Sequence, residues 1–207
     1  LVDIDPQNYP QRDVYKLMTA AVVPRPIAWV STLSPEGVAN VAPFSFFNAV
    51  CSAPPTVLFC SSIRASDGGN KDTYHNIKAN GEFVVNFVTY ALADAMNITA
   101  TDLPPDVSEF DRAKLTPAPG HKVAVPHVAE SPAYFECVLK EIVTISEEVG
   151  GAHIIIGTVV HMHFDDSIFR EGNYLDYDAY DVIGRLAGND YSRIKDRVTL
   201  VRPKPQV

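Results

Sequence analysis

Residues 25–55, RPIAWVSTLSPEGVANVAPFSFFNAVCSAPP, and residues 71–88, KDTYHNIKANGEFVVNFV, decide how this chain folds. In the first stretch, residues 27–33 read as a strand, Ser34-Pro35-Glu36-Gly37 has turn chemistry, and residues 38–42 run back, which predicts an antiparallel hairpin. After Pro54-Pro55, residues 56–60 form a nearly continuous apolar strand. The second stretch opens a helix at Lys71, Asp72 and Thr73, stops it at Asn80-Gly81, and continues into a strand over 82–88.

The remaining elements extend this antiparallel theme. Residues 9–20 place Val14, Leu17 and Met18 on one helical face, and Pro24 and Pro26 prevent continuation. Residues 90–98 read as a short helix with Thr89 as N-cap, and the Pro-, Asp- and Lys-rich residues 101–126 as a long surface excursion. Strands over 133–146 and 153–164, separated by Glu147, Glu148 and Gly150-Gly151, suit a second hairpin. Many closely spaced strands with few helices predict a mainly β fold, a closed or split antiparallel β-barrel decorated by short helices. One domain is expected over 1–207, with its core over about 20–195 and a C-terminal tail over 196–207.

Composition narrows the partners. A 207-residue chain that is 46% hydrophobic can bury a full core, and its formal charge of −8 argues against duplex nucleic acid or an anionic membrane as a partner. Cys51, Cys60 and Cys137 are odd in number, widely spaced and set in apolar runs, so neither a disulfide framework nor a paired-cysteine metal site is expected. With no apolar run long enough to span a bilayer and no basic-then-apolar leader in LVDIDPQNY, a cytoplasmic protein is expected. Leu1 is not an initiator Met, so the natural start is expected upstream.

The order of parts suits a flat aromatic ligand with a phosphate tail. Ser45, Phe46, Phe47 and Asn48 offer small polar groups and aromatic faces where a strand meets a Pro-bounded turn; the plainer reading makes the phenylalanines core. Lys71 and Thr73 sit at a helix start, where free N–H groups and the dipole attract an anion, while Asp72 is expected to cap. Ser61 and Ser62 end a strand facing that helix, with Arg64 in the following loop. Arg25, held between Val23-Pro24 and Pro26, is pre-organised for a phosphate or carboxylate, or else forms a surface ion pair. His161, His163 and Asp165 alternate along one strand, a geometry compatible with a divalent metal and equally with a polar strand face. Glycine motifs for Rossmann, Walker or nucleophile-elbow chemistry do not occur.

Taken together, Arg25-Pro26-Ile27-Ala28-Trp29-Val30-Ser31-Thr32, Gly37, the run from Asn40 through Pro43 to Asn48, Pro54-Pro55, and Lys71-Asp72-Thr73 with Asn76-Ile77 resemble the flavin reductase-like family. Gly151-Ala152-His153 with Gly157, and Ile183-Gly184-Arg185 through Tyr191, extend the resemblance over about residues 25–191. It implies an FMN-binding split barrel with flavin contacts from Thr32, Ser45, Phe46, Phe47, Asn48, Ser61, Ser62, Lys71 and Thr73. FMN is the implied cofactor with FAD as the alternative, NADH or NADPH the hydride donor, and a homodimer the assembly. The implied activity is an NAD(P)H-dependent flavin reductase that supplies reduced flavin or electrons to a partner monooxygenase; the alternative is a flavin-binding electron carrier with little NAD(P)H oxidation. A histidine at His153 can face the place where nicotinamide meets flavin, or can be hydrogen-bonded structure. Because the cofactor performs hydride transfer, no firm catalytic residue is assigned. The roles of Arg25, Arg185, His161 and His163 stay open.

Overall fold

A computed structural model describes residues 1–203. Helix α1 (Gln11–Ala21) follows a short 3-10 turn, and then the chain enters β1 (Ala28–Leu33), β2 (Ala39–Phe44), β3 (Phe47–Ser52) and β4 (Pro55–Ser62). Helix α2 (Asp72–Asn80) leads to β5 (Glu82–Asn86), then α3 (Ala93–Ile98), α4 (Glu109–Ala113) and the small pair β6 (Pro117–Ala118) and β7 (His127–Val128). Two long strands, β8 (Ala133–Thr144) and β9 (Ala152–Phe164), precede β10 (Phe169–Arg170), β11 (Tyr174–Leu175), α5 (Tyr177–Tyr180), β12 (Ile183–Arg185) and β13 (Tyr191–Arg193). Residues 193–203 are exposed, and 204–207 of the expected tail lie outside the described residues.

The main sheet has the order β2-β1-β5-β8-β9-β4-β3, and every pairing is antiparallel. It curls until β2 at one end meets β4, next to the other end, through side chains: the rings of Phe44 on β2 and Phe59 on β4 lie 4.8 Å apart. Among the described residues no ladder joins β2 to β3, so of the closed and split forms expected the sheet takes the open, split one. The connection across the gap is the chain itself, anchored where Cys60 N–H donates to Phe46 O at 2.9 Å.

The inner face packs Ala28, Val30, Phe44, Val57, Phe59, Phe83, Val85, Cys137, Ile155 and Val159, and α2 closes one end by inserting Ile77. Burying each such side chain contributes about 1.5–3 kcal/mol. A second layer covers the outside of β1 and β2, where Trp29 and Val41 meet Met96, Phe110, Leu115, Val128 and Ile183. The predicted surface excursion over 101–126 is therefore corrected in part. Phe110, Leu115, Val123 and Val125 anchor it, and buried Glu136 accepts the N–H groups of His121 (2.7 Å) and Val123 (3.2 Å).

One further expectation changes: Thr89 precedes the 3-10 turn Tyr90–Leu92 but its side chain makes no cap hydrogen bond. Helix α1 forms where expected, with Val14 of its apolar face half-buried and Leu17 and Met18 44% and 55% exposed.

Candidate functional site

The split exposes one edge of β2. Val41 N–H donates to Glu109 Oε2 at 3.2 Å, so it points away from β1, and the alternation of an antiparallel ladder puts the backbone of Pro43 on the same free edge. A residue without an N–H is tolerated only at such an edge. Facing it is the start of α2, where Lys71 is the N-cap and no side chain caps the helix. Asp72 is the first helical residue, which corrects its expected capping role. The tethers of this wall are electrostatic: Lys71 Nζ lies 3.2 Å from Asp102 Oδ1, and Arg64 Nε lies 3.1 Å from Asp67 Oδ1.

Between these walls runs a groove of about 70 Å³ bordered by Pro43, Arg64, Lys71, Asp72 and Asp102. It continues past Pro43 and Ala100 into a hollow of about 220 Å³ bordered by Tyr15, Arg25, Ser45, Asn97, Arg185 and Tyr191. Neither reaches the roughly 300 Å³ at the lower end of enclosed ligand pockets.

The expected contact residues divide into those at the groove and those inside the fold. Lys71 is at the groove, and Ser45 borders the adjoining hollow while accepting from Arg25 Nε at 3.3 Å. Phe46 lies half-buried with the Arg25 guanidinium 5.9 Å from its ring centre. Ser62 ends β4 exposed, and Asn48 is exposed on the edge strand β3. Phe47, by contrast, packs onto the barrel core and against Phe87, so its ring is structural.

Thr32 lies inside the fold, whereas Thr73 lines the groove beside Lys71, and the hydroxyl groups of both belong to a buried polar network. Thr73 Oγ1 donates to Asn40 Oδ1 at 3.0 Å, Asn76 Nδ2 donates to Thr32 Oγ1 at 3.0 Å, and Asn40 Nδ2 donates to Glu109 Oε2 at 2.8 Å. Their hydroxyl groups are thereby committed inside, and only the backbone N–H of Thr73 remains for a ligand at the helix start. Burial pushes the Glu109 carboxyl above the usual carboxylate range, reinforced by the nearby charge of Asp72 and opposed by its hydrogen bonds from its own backbone, Val41 and Asn40. Ser61 also turns inward, in step with Val57 and Phe59, and its buried Oγ has no hydrogen-bond partner among the described residues. It faces the barrel interior beneath α2, away from the groove expected of it.

His153 occupies that same interior end. Its Nε2 lies 2.8 Å from Asn70 Oδ1, its Nδ1 2.9 Å from Thr144 Oγ1, and its ring stacks on Tyr74 at 4.3 Å. Burial holds its pKa below the ordinary value, with Glu147 and Lys78 pulling in opposite directions. Both ring nitrogens are engaged, so its geometry is that of a structural tie between β9 and the loop that presents Lys71. His161 and His163 do share a strand face, yet His163 stacks on Tyr134 at 4.8 Å and His161 lies 4.6 Å from the His121 ring. Among the described residues no three metal-donor side chains converge.

Asp102 and Glu109 were not singled out by the sequence, because each meets the site across a long sequence separation. Pro43 carried a readable signal, a proline inside a strand pattern, which marks an open edge. The polar groups suit a phosphate-bearing aromatic: an uncapped helix start beside a lysine supplies donors for the phosphate, the β2 edge at Pro43 supplies backbone carbonyl acceptors, and serines stand at the two strand ends.

Comparison with known proteins agrees with this architecture. A family model described as "Flavin reductase like domain" matches residues 19–183. The uncharacterized protein YwrF of Bacillus subtilis (strain 168) is 42% identical over 195 residues, covering 93% of this chain and 94% of that protein. Nitrilotriacetate monooxygenase component B from Bacillus cereus superposes with a TM-score of 0.91 at 35% identity, over 97% of this chain and 98% of that one. The 2-nitrobenzoate 2-nitroreductase NbaA of Pseudomonas fluorescens gives a TM-score of 0.88 at 31% identity, over 98% of this chain and 96% of that one. With a split sheet, a groove at its open edge and a family match over most of its length, this chain belongs to the flavin reductase-like family.

Proposed function

We propose that this chain is a single split-barrel unit that binds FMN across the split and acts as an NAD(P)H:flavin reductase, supplying reduced flavin or electrons to a partner monooxygenase. The observation that carries the reading is the groove between the free edge of β2 and the uncapped, lysine-bearing start of α2. Similarity to nitrilotriacetate monooxygenase component B supports the biological context. A reducing cytoplasm is consistent with three free cysteines.

In this reading Lys71 and the free N–H groups of Asp72 and Thr73 hold the phosphate. Each charge-assisted hydrogen bond is worth on the order of 1.5–3 kcal/mol. Ser62 serves the sugar-like chain, and the Pro43 edge with Ser45 orients the ring. When bound, the flavin supplies the hydride acceptor and electron carrier. The protein's part is position and water exclusion, and a second copy of the chain supplies the missing wall of a groove too small to enclose the ligand.

Two measurements test the reading. Lys71→Ala should weaken FMN by tenfold or more and leave riboflavin, which lacks the phosphate, within about twofold; equal weakening of both would remove the phosphate assignment. NADH or NADPH oxidation with excess flavin tests the activity: turnover no faster than free flavin alone would reduce the protein to a flavin-binding electron carrier.

A further inference from the structure

The hollow beyond Pro43 holds two arginines that no carboxylate balances. Arg25 and Arg185 exchange backbone hydrogen bonds in an isolated antiparallel bridge, Arg25 N–H to Arg185 O at 2.9 Å and Arg185 N–H to Arg25 O at 2.8 Å. That pairing sets their side chains directly opposite each other, where like charges repel. Arg25 is 4% exposed, and its guanidinium is solvated by neutral groups: Thr19 O at 2.6 Å, Val22 O at 2.9 Å, Leu186 O at 2.9 Å and Ser45 Oγ. Arg185 lies over the Tyr191 ring at 4.5 Å and donates one N–H to Gly188 O. Of its five N–H donors, one is therefore committed. Among the described residues neither arginine makes a salt bridge, whereas Arg64 and Lys71 in the adjoining groove both do.

Carbonyl oxygens relieve the desolvation of a buried guanidinium but carry no net charge, so two adjacent arginines remain costly until an anion arrives. We propose that Arg25 and Arg185 form an oxyanion subsite that receives a phosphate or carboxylate group of a second small-molecule ligand. Arg25, fixed by four bonds, supplies a pre-placed charge; Arg185 supplies its remaining N–H donors, and Tyr15 and Tyr191 wall the hollow with phenol rings. The placement of that ligand beside the flavin rests on the function proposed above; the anion binding does not. The hollow meets the flavin groove at Pro43 and Ala100, so a ligand anchored by its anion here extends its reacting end toward the ring.

The test uses the full chain without flavin, wild type and each Arg185 variant also prepared with Lys71→Ala so that the phosphate site proposed at the start of α2 is disabled, at low ionic strength, titrated calorimetrically with inorganic pyrophosphate and, separately, with benzoate. With Lys71→Ala in place, one saturable site should remain for at least one of them. Arg185→Gln should weaken it by tenfold or more, Arg185→Lys should restore part of the loss, and added salt should weaken wild type. Tighter pyrophosphate binding assigns the subsite to a phosphate-bearing ligand such as a dinucleotide; tighter benzoate binding assigns it to an organic acid. Absence of saturable binding for both, or equal binding to Arg185→Gln with an unchanged circular dichroism spectrum, overturns the proposal. FMN and riboflavin titrations of Arg185→Gln with Lys71 intact complete the test. Unchanged FMN affinity is expected, and a selective loss of FMN would overturn the proposal by making these arginines the flavin's own phosphate site. Wild type that binds no flavin, with pyrophosphate binding kept in Lys71→Ala, would refute the flavin reading and uphold the anion subsite.

Discussion

Gly157 and Phe83 occupy one place in the barrel: a Cβ on Gly157 would overlap the Phe83 ring at Cζ. Gly157 lies on β9 between the inward residues Ile155 and Val159, so the missing side chain is what lets the ring cross the barrel centre. Gly157→Ala should therefore overpack the core and cost about 1–3 kcal/mol, lowering Tm by roughly 2–4 °C per kcal/mol for a chain of this size. Thermal denaturation followed by circular dichroism checks it, and an unchanged Tm would show that Phe83 moves aside freely.

The buried network beside the groove separates stability from ligand affinity. Thr73→Val removes the stronger donor to Asn40 Oδ1, leaving Thr32 Oγ1 at 3.4 Å as the remaining one, and should cost about 1–3 kcal/mol of stability. FMN affinity should stay within about twofold once the fold is intact. Asp102→Asn should do the opposite. It frees Lys71 from an exposed pair worth only about 0–1 kcal/mol, so stability hardly changes while FMN binds several-fold more tightly. Chemical denaturation and FMN titration of both variants decide between these roles; a Thr73→Val protein of full stability but weak FMN binding would return Thr73 to the phosphate site.

These cases show which parts of the site the sequence reveals. The turn at Ser34-Pro35-Glu36-Gly37, the stop at Gly81 and the β8/β9 hairpin are local chemistry, and each is found where expected. Strand parity was also legible for Ser61, because Val57, Phe59 and Ser61 share one face. Strand β3 was not, since its residues from Asn48 to Ser52 are exposed and present no buried alternation. Nor was the engagement of Thr32 and Thr73, which depends on Asn40 and on Glu109, a partner brought in from a segment read as a surface loop. Hydrophobic periodicity reports burial against the core, and a polar network across such separations leaves no periodic trace.

His153 gives a pH prediction whose sign follows from burial. Its folded pKa lies below the unfolded value of about 6.5, so below that pH the unfolded chain takes up a proton that the folded chain refuses. The stabilisation is complete above the unfolded pKa and is lost as pH falls toward the folded one. His127, also lowered mainly by burial, acts in the same direction. His153→Gln should flatten part of the decline in stability as pH falls below about 6.5, measured by denaturant unfolding in steps of pH. A variant with the wild-type slope throughout would mean that His153 titrates normally in the folded state.

The exposed face of α1 leads to the remaining prediction. Leu17 and Met18 project from a helix whose carbonyls at Thr19 and, just beyond its end, Val22 bind Arg25, and Arg25 in turn binds Ser45 at the start of the connection to β3. The apolar helix face and the exposed edge strand are thus tied to the same corner of the fold, beside a groove that lacks a wall. On β3 the ladder shifts register between Ala49 and Cys51, a bulge that blunts the edge against simple sheet extension and favours contact through side chains. A second copy packing on this corner would cover both surfaces and enclose the ligand groove. Wild type should then sediment at about twice the 22.7 kDa chain mass, and Leu17→Glu with Met18→Glu should sediment as a single chain. If the partner supplies the missing wall, the same double variant should bind FMN at least tenfold more weakly although neither residue borders the groove. Monomeric wild type, or a monomeric variant with full FMN affinity, would separate the helix face from the flavin site.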